Sequence, residues 1–208
     1  GFVGYVNDTP DKSVNEKIIK DMADRIRHRG PDQDDYYVDS SVSLGFRRLS
    51  IIDLDGGSQP ILNEDGTKVL VFNGEIYNYQ PIREELIKKG HVFRTKTDSE
   101  VLLHGYEEYG CELLNKLRGM FAFVIWDSTE KKLFGARDIF GIKPFFYYLK
   151  NGNFLFGSEI KSFLSNPLFE KELNEERLPD YLCFEYIPTT ETMFKNVYKM
   201  EPGSYFTF

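Results

Sequence analysis

Apolar residues recur along this chain in two rhythms, and the switches between them mark out its elements. Phe2-Val3-Gly4-Tyr5-Val6 is an apolar run of strand length at the start of the sequence. Val14, Ile18, Ile19, Met22 and Ile26 recur at helical spacing, which predicts an amphipathic helix over 13–28, ended by Gly30-Pro31. Val42, Leu44 and Phe46 alternate, and Leu49 to Ile52 extend the run as a strand before a loop at Asp55-Gly56-Gly57. Lys68 to Phe72 is a further strand, running into Asn73-Gly74.

Helical spacing returns at 80–89, stopped by Gly90. A second helix is expected over 99–109, with Asp98 as its N-cap and Gly110 after its end. Met120 to Trp126 and Lys132 to Ala136 read as a hairpin across Asp127-Ser128-Thr129-Glu130. Phe145 to Leu149 and Phe154 to Phe156 read as another across Asn151-Gly152-Asn153. Two short helices and a strand near 203–208 complete the pattern. Antiparallel hairpins with helices clustered between them predict an α+β fold rather than a parallel, doubly wound one.

Composition narrows the field. The 208 residues are 41% hydrophobic, enough for one large core, and 28% charged, as in ordinary globular chains. The net charge of −7 argues against nucleic acid or an anionic membrane as partner, because both favour a basic face. No apolar run reaches the roughly 18 residues that span a bilayer, and no basic segment leads into an apolar one as in a secretory signal. Cys111 and Cys183 fit no metal spacing and read as small buried hydrophobes in a reducing compartment, most simply the cytoplasm. GxGxxG and P-loop patterns are both missing, so no cofactor is expected for this segment.

Four segments carry polar chemistry where a plain strand would not. In Arg47-Arg48-Leu49-Ser50-Ile51-Ile52-Asp53, an arginine leaving a buried strand offers a planar grip for a carboxylate, or a strand-end salt bridge. In Asn73-Gly74-Glu75-Ile76-Tyr77-Asn78, a side-chain amide beside a backbone N–H offers an oxyanion hole, or an ordinary turn. In Thr97-Asp98-Ser99-Glu100, Asp98 is a helix cap or a partner for an α-ammonium group. Arg48 with Glu75 and Asp98 makes a complementary set for a free amino acid. Arg137-Asp138-Ile139-Phe140-Gly141-Ile142-Lys143-Pro144 reads as a structural loop, and His28-Arg29-Gly30-Pro31-Asp32 as a helix stop and tight turn. His91 and His104 read as isolated structural or surface residues, and no metal site is expected.

These segments, in this order, resemble the glutamine amidotransferases with an N-terminal nucleophile, most closely the asparagine synthetases. The match also runs through Gly1-Phe2-Val3-Gly4, Gly119-Met120-Phe121-Ala122-Phe123, Ser158-Glu159-Ile160-Lys161, Tyr186-Ile187-Pro188 and Pro202-Gly203, so it covers nearly the whole chain. The resemblance implies a four-layer αββα sandwich of two antiparallel sheets, the N-terminal nucleophile hydrolase fold. It implies that 1–208 is one glutaminase domain leading towards a synthetase domain outside this sequence. It implies that Arg48 holds the α-carboxylate of L-glutamine, with Leu49, Ser50, Ile51 and Ile52 lining the pocket by their backbones. Asn73 and the Gly74 N–H are then the oxyanion hole, and Glu75 and Asp98 bind the α-ammonium.

In that family the nucleophile is an N-terminal cysteine immediately before the Gly-Phe-Val-Gly stretch, and this sequence begins at Gly1. With the cysteine in place, the expected activity is hydrolysis of glutamine to glutamate and ammonia through a cysteinyl thioester. Ammonia then passes to a C-terminal synthetase domain that uses ATP and magnesium to make asparagine from aspartate. Without it, the expectation is a module that binds glutamine and does not hydrolyse it. The alternative within the enzyme class is another amidotransferase of the same fold. A homodimer is possible on either reading.

Overall fold

The computed structural model describes residues 1–48 and 58–208; Leu49 to Ile52 and the Asp55-Gly56-Gly57 loop lie outside the described residues. In chain order the elements are β1 (Phe2–Val6), α1 (Lys12–Asp24), β2 (Gln33–Val38), β3 (Val42–Arg48), β4 (Ile61–Leu62), β5 (Lys68–Ile76), α2 (Tyr79–Lys88) and α3 (Ser99–Tyr109). There follow α4 (Leu113–Lys116), β6 (Gly119–Asp127), β7 (Lys132–Arg137), β8 (Phe146–Lys150), β9 (Asn153–Gly157), α5 (Leu178–Phe184), β10 (Val197–Lys199) and β11 (Tyr205–Thr207). Among the described residues, one sheet has the order β10-β8-β9-β1-β3-β2 and the other β11-β7-β6-β5-β4. The strand pairings are antiparallel throughout.

The layers follow from the two-residue period of the strands. On β5, Val69 and Val71 face an inter-sheet core, while Leu70 and Phe72 face the helices α2 and α3. On β6, Ala122, Val124 and Trp126 join the first set, and Phe121, Phe123 and Ile125 the second. On the opposite sheet, Phe2, Val42, Leu44, Phe46, Phe154 and Phe156 supply the other half of the inter-sheet core. Val3, Tyr5 and Leu155 turn the other way, onto Ile19, Met22 and Ala23 of α1. Both faces of each sheet are therefore buried, and the molecule is the α+β, four-layer αββα sandwich.

Sequence and structure part company in instructive places. The first helix ends at Asp24 rather than near 28, and Arg27–Arg29 tighten into a 3₁₀ turn. Ile26 stays fully buried from within that connection, so it keeps the apolar rhythm without being helical. The turn delivers Gly30 against β3, where a Cβ would meet backbone atoms of Arg47 and Arg48 at 2.4–2.5 Å. The strand expected to stop at Asn73-Gly74 runs on to Ile76, with Asn73 opposite Ala122 and Gly74 opposite Phe121. Asp98 stands at the N-cap position of α3 but makes no side-chain cap there. Cys111 and Cys183 are exposed thiols, not buried hydrophobes. Among the described residues, no helix is long and apolar enough to cross a membrane.

The Arg137–Pro144 segment is structural, as its glycine and proline suggest. Asp138 is fully buried and accepts from the backbone N–H groups of Phe121, Phe140, Ile142 and Lys143 at 2.9–3.2 Å. Arg137 donates to the carbonyls of Gly141, Lys143 and Met200. Its backbone N–H is held by Ser204, just before β11.

Candidate active site

The site lies where the apolar interior of the sandwich runs out. On β3, the residues facing the inter-sheet core are Val42, Leu44 and Phe46, and the next on that face is Arg48. On β5 they are Val69 and Val71, and the next two are Asn73 and Glu75. Two strands from different sheets thus change from apolar to polar at the same end of the layer. Arg47, on the opposite face of β3, is buried and pairs with Asp24 and Asp34, so the two arginines have separate jobs.

Between these strand ends opens a cavity of about 410 Å³. Arg48, Asn73, Gly74, Glu75 and Asp98 all line it, and so does Gly1 at the head of β1. The structure therefore gathers the sequence-predicted residues that it describes; Leu49, Ser50, Ile51 and Ile52 lie outside the described residues. The Gly1 nitrogen donates to the Arg47 carbonyl at 2.7 Å and the Arg47 N–H returns to the Gly1 carbonyl at 2.8 Å. An amine at this position is pushed down to about 5, first by burial and then by the Arg29 charge, with Glu159 opposing and Lys143 adding.

One edge of β5 explains the donors in the cleft. Beyond its short pairing with β4, that edge has no strand neighbour among the described residues. The Phe72 N–H is taken by the buried Gln59 side chain at 2.6 Å, and the Ile76 N–H by the Asp98 carboxylate at 2.7 Å. Successive N–H groups of a strand point to alternate sides, so the Gly74 N–H lies on this same edge, between the two that are taken. Asn73 adds an amide nitrogen that is buried and has no hydrogen-bond partner among the described residues. A buried donor without an acceptor costs free energy on the order of 1–3 kcal/mol, so such a group is the place to look for a ligand.

Asp98 reaches back to β5 instead of capping its own helix, which is why it enters the cleft. Burial, with a smaller push from the Glu75 charge, raises its carboxyl above the usual value, against the opposing N–H of Ile76. Glu75, Asp98 and Arg48 are thereby placed around two donors.

Residues outside the expected set also line the cleft: Gln59, Tyr79, Lys96, Thr97 and Lys143. Lys143 belongs to the loop read as purely structural, and the Asp138 carboxylate orders its backbone N–H. Its lysine beside a Gly-Ile and a proline was the available signal. Gln59 lies in a stretch without periodicity, and nothing in the sequence marked it. Arg29, from the His28–Asp32 turn, borders the cleft and binds Glu159 at 3.0 Å, while His28 holds the same carboxylate at 2.8 Å.

Solved structures share this two-sheet αββα sandwich. The glutamine phosphoribosylpyrophosphate amidotransferase from Bacillus subtilis, solved with ADP and GMP, matches it with a TM-score of 0.65 over 83% of this chain and 45% of that chain. At 19% identity that likeness shows the shared fold alone. The sequence settles the family: it matches the glutamine amidotransferase domain over residues 1–208, and the chain belongs to that family. It is 48% identical over 211 residues to asparagine synthetase [glutamine-hydrolyzing] 1 of Bacillus subtilis strain 168, covering 100% of this chain and 33% of that protein. It is 42% identical over 212 residues to asparagine synthetase [glutamine-hydrolyzing] 2 of the same organism, covering 99% of this chain and 28% of that protein. The chain thus spans a third or less of the length of these relatives.

Proposed function

We propose that this chain is the glutaminase domain of a glutamine-hydrolysing asparagine synthetase, with a cysteine joined to Gly1 as nucleophile. The observation that carries it is the unpartnered amide of Asn73 beside the Gly74 edge, in the cleft that Gly1 also lines. On this reading the cysteine before Gly1 reaches into that cleft. The hydrogen bond from Gly1 to Arg47 is one that a peptide N–H makes equally well.

On this reading Arg48 holds the glutamine α-carboxylate and Glu75 with Asp98 holds the α-ammonium. The side-chain amide then points towards Asn73 and Gly74. The cysteine thiolate attacks the amide carbon, and the oxyanion receives hydrogen bonds from the Asn73 side chain and the Gly74 N–H. The carbon–nitrogen bond breaks, and the nitrogen leaves as ammonia with a proton returned from the cysteine α-amine. Water hydrolyses the thioester, giving glutamate and the free thiol. The cysteine α-amine, in its neutral form, first takes the thiol proton as base.

Ammonia would then serve a synthetase domain in the rest of the protein, as the likeness to longer asparagine synthetases supports, and that domain would bring ATP and magnesium to activate aspartate. The charge of −7 supports a partner set without nucleic acid or membrane, and two unpaired thiols support a reducing, cytoplasmic setting. The first experiment is the intact mass of the native protein, followed by assay of glutamate and ammonia from glutamine. Equimolar products that disappear on replacing the cysteine before Gly1 with serine are expected. A native protein that carries the cysteine and releases no ammonia would overturn the proposal.

A further inference from the structure

A second cluster lies away from the cleft, where the end of α2 meets α3. His91 and His104, apparently isolated in the sequence, have ring centroids 5.2 Å apart. Glu107, one turn beyond His104 on α3, closes the group. Its Oε2 is 2.9 Å from His104 Nδ1 and 3.7 Å from His91 Nδ1. One ligand atom from each of the three lies within 4.8 Å of the others. Nitrogen and oxygen ligands held by zinc at about 2.0–2.2 Å in tetrahedral geometry stand roughly 3.4 Å apart, so small side-chain adjustments would close the set.

The outer atoms of these ligands are a second observation. A metal-bound histidine almost always directs its other ring nitrogen to a carboxylate or carbonyl, which fixes the tautomer and the ring. His91 Nε2 lies 3.3 Å from Glu108 Oε2. His104 Nε2 is buried without a hydrogen-bond partner among the described residues and faces Glu100 Oε1 at 3.6 Å and a Glu64 oxygen at 3.9 Å. The other oxygen of Glu107 accepts from the Asn63 amide at 2.6 Å. Glu107 and His91 thus have outer groups that orient them, and His104 Nε2 has carboxylates facing it within 4 Å. Among the described residues four carboxylates surround the two imidazoles, with Lys89 on Glu108 at 2.7 Å and the Lys68 charge acting on Glu107.

We propose that His91, His104 and Glu107 form a site for one divalent transition-metal ion, zinc by ligand chemistry, that fastens the connection after α2 to α3. Two imidazoles select zinc, cobalt or nickel over magnesium and calcium, which prefer all-oxygen shells. A fourth position stays open to water. None of the three residues lines the glutamine cleft, so the ion is structural and takes no part in hydrolysis.

The test uses protein treated with EDTA and alkylated at its thiols, because Cys111 and Cys183 are exposed and bind zinc on their own. Calorimetry should show one equivalent of saturable zinc, with a raised Tm, and cobalt should give a visible absorption band that grows to one equivalent. His91→Ala, in a side chain at the surface of the cluster, should abolish both signals while circular dichroism stays native. Glu108→Gln should weaken zinc on the order of 10–100-fold by freeing the outer nitrogen of His91. No saturable zinc in the parent protein, or unchanged affinity in His91→Ala, would overturn the proposal, leaving His104 as a bridge between Glu100 and Glu107.

Discussion

On the proposed reading, Asn73 belongs to the fold and to the chemistry at once. Its backbone pairs in β5 opposite Ala122, and its side chain takes the place where the next apolar residue of the inter-sheet core would stand. Asn73→Ala should leave the fold intact and lower glutamine turnover by about 10²–10³-fold, the usual cost of one oxyanion donor, with a smaller change in KM. A KM rise without loss of kcat would assign the amide to binding instead. Asp98 makes a different prediction. Its folded pKa is raised, so the stability from its protonated form is full below the usual 3.8 and is lost as pH rises through the raised value. A bound ammonium reverses that preference, so glutamine affinity should increase with pH across the same window, with proton release on binding. Calorimetry in buffers of different ionisation enthalpy measures the protons, and Asp98→Asn should remove them.

That these residues share one cleft was legible in the sequence because, on the proposed reading, each type suits a part of one small molecule. Gln59 was not, because its task is to take the Phe72 N–H on an unpaired strand edge, and an edge is a property of the sheet.

At the scale of elements, the longest misreading concerns β5. Asn-Gly is among the strongest short turn signals, since both residues tolerate positive φ. Here the partner strand overrides it: Gly74 lies flat against Phe121, and a Cβ would stand 2.2 Å from the Met120 carbonyl oxygen. The glycine is needed for close approach, not for a turn. Gly74→Ala should cost about 1–3 kcal/mol in urea denaturation, because the obstructing atom is backbone and has no rotamer to yield. Near wild-type stability would mean that the strands separate easily at the cleft. The Asp138 loop carries a further prediction. Asp138→Ala strips the acceptor from four backbone N–H groups, and a loss of about 3 kcal/mol or more is expected. Turnover should fall too if Lys143 leaves the cleft with its loop.

β2 went unread for the converse reason. Gln-Asp-Asp-Tyr-Tyr-Val has no alternation, because an edge strand with an outer face half in water needs none. β10 is too short to carry a period and only pairing with β8 makes it a strand, whereas β11 falls within the strand expected near 203–208.

At the scale of the whole molecule, two sheets share one core, and their unfolding should be a single event. Alternation on β3 and unbroken apolar runs on β5 and β6 made those strands readable, while the docking of one sheet on the other came from the resemblance, not from periodicity. One side chain reports that docking directly. Trp126, the only tryptophan, is rooted on β6 and packs in the inter-sheet core, yet its indole N–H donates to Asp39 of the β2–β3 turn at 2.7 Å. Asp39 in turn accepts from the Ser41 and Val42 N–H groups, so the bond ties one sheet to the hairpin of the other. Fluorescence of Trp126 therefore follows the sheet–sheet contact, and far-ultraviolet circular dichroism follows the sheets themselves. If the shared core is what makes each sheet stable, the two signals should trace one urea transition with one midpoint. Trp126→Phe, which keeps the packing and loses the bond to Asp39, should lower the stability read by circular dichroism by roughly 1 kcal/mol. A fluorescence change that precedes the loss of circular dichroism would show sheets that persist apart. The cleft, built from one strand end of each sheet, would then lose glutamine before the strands melt.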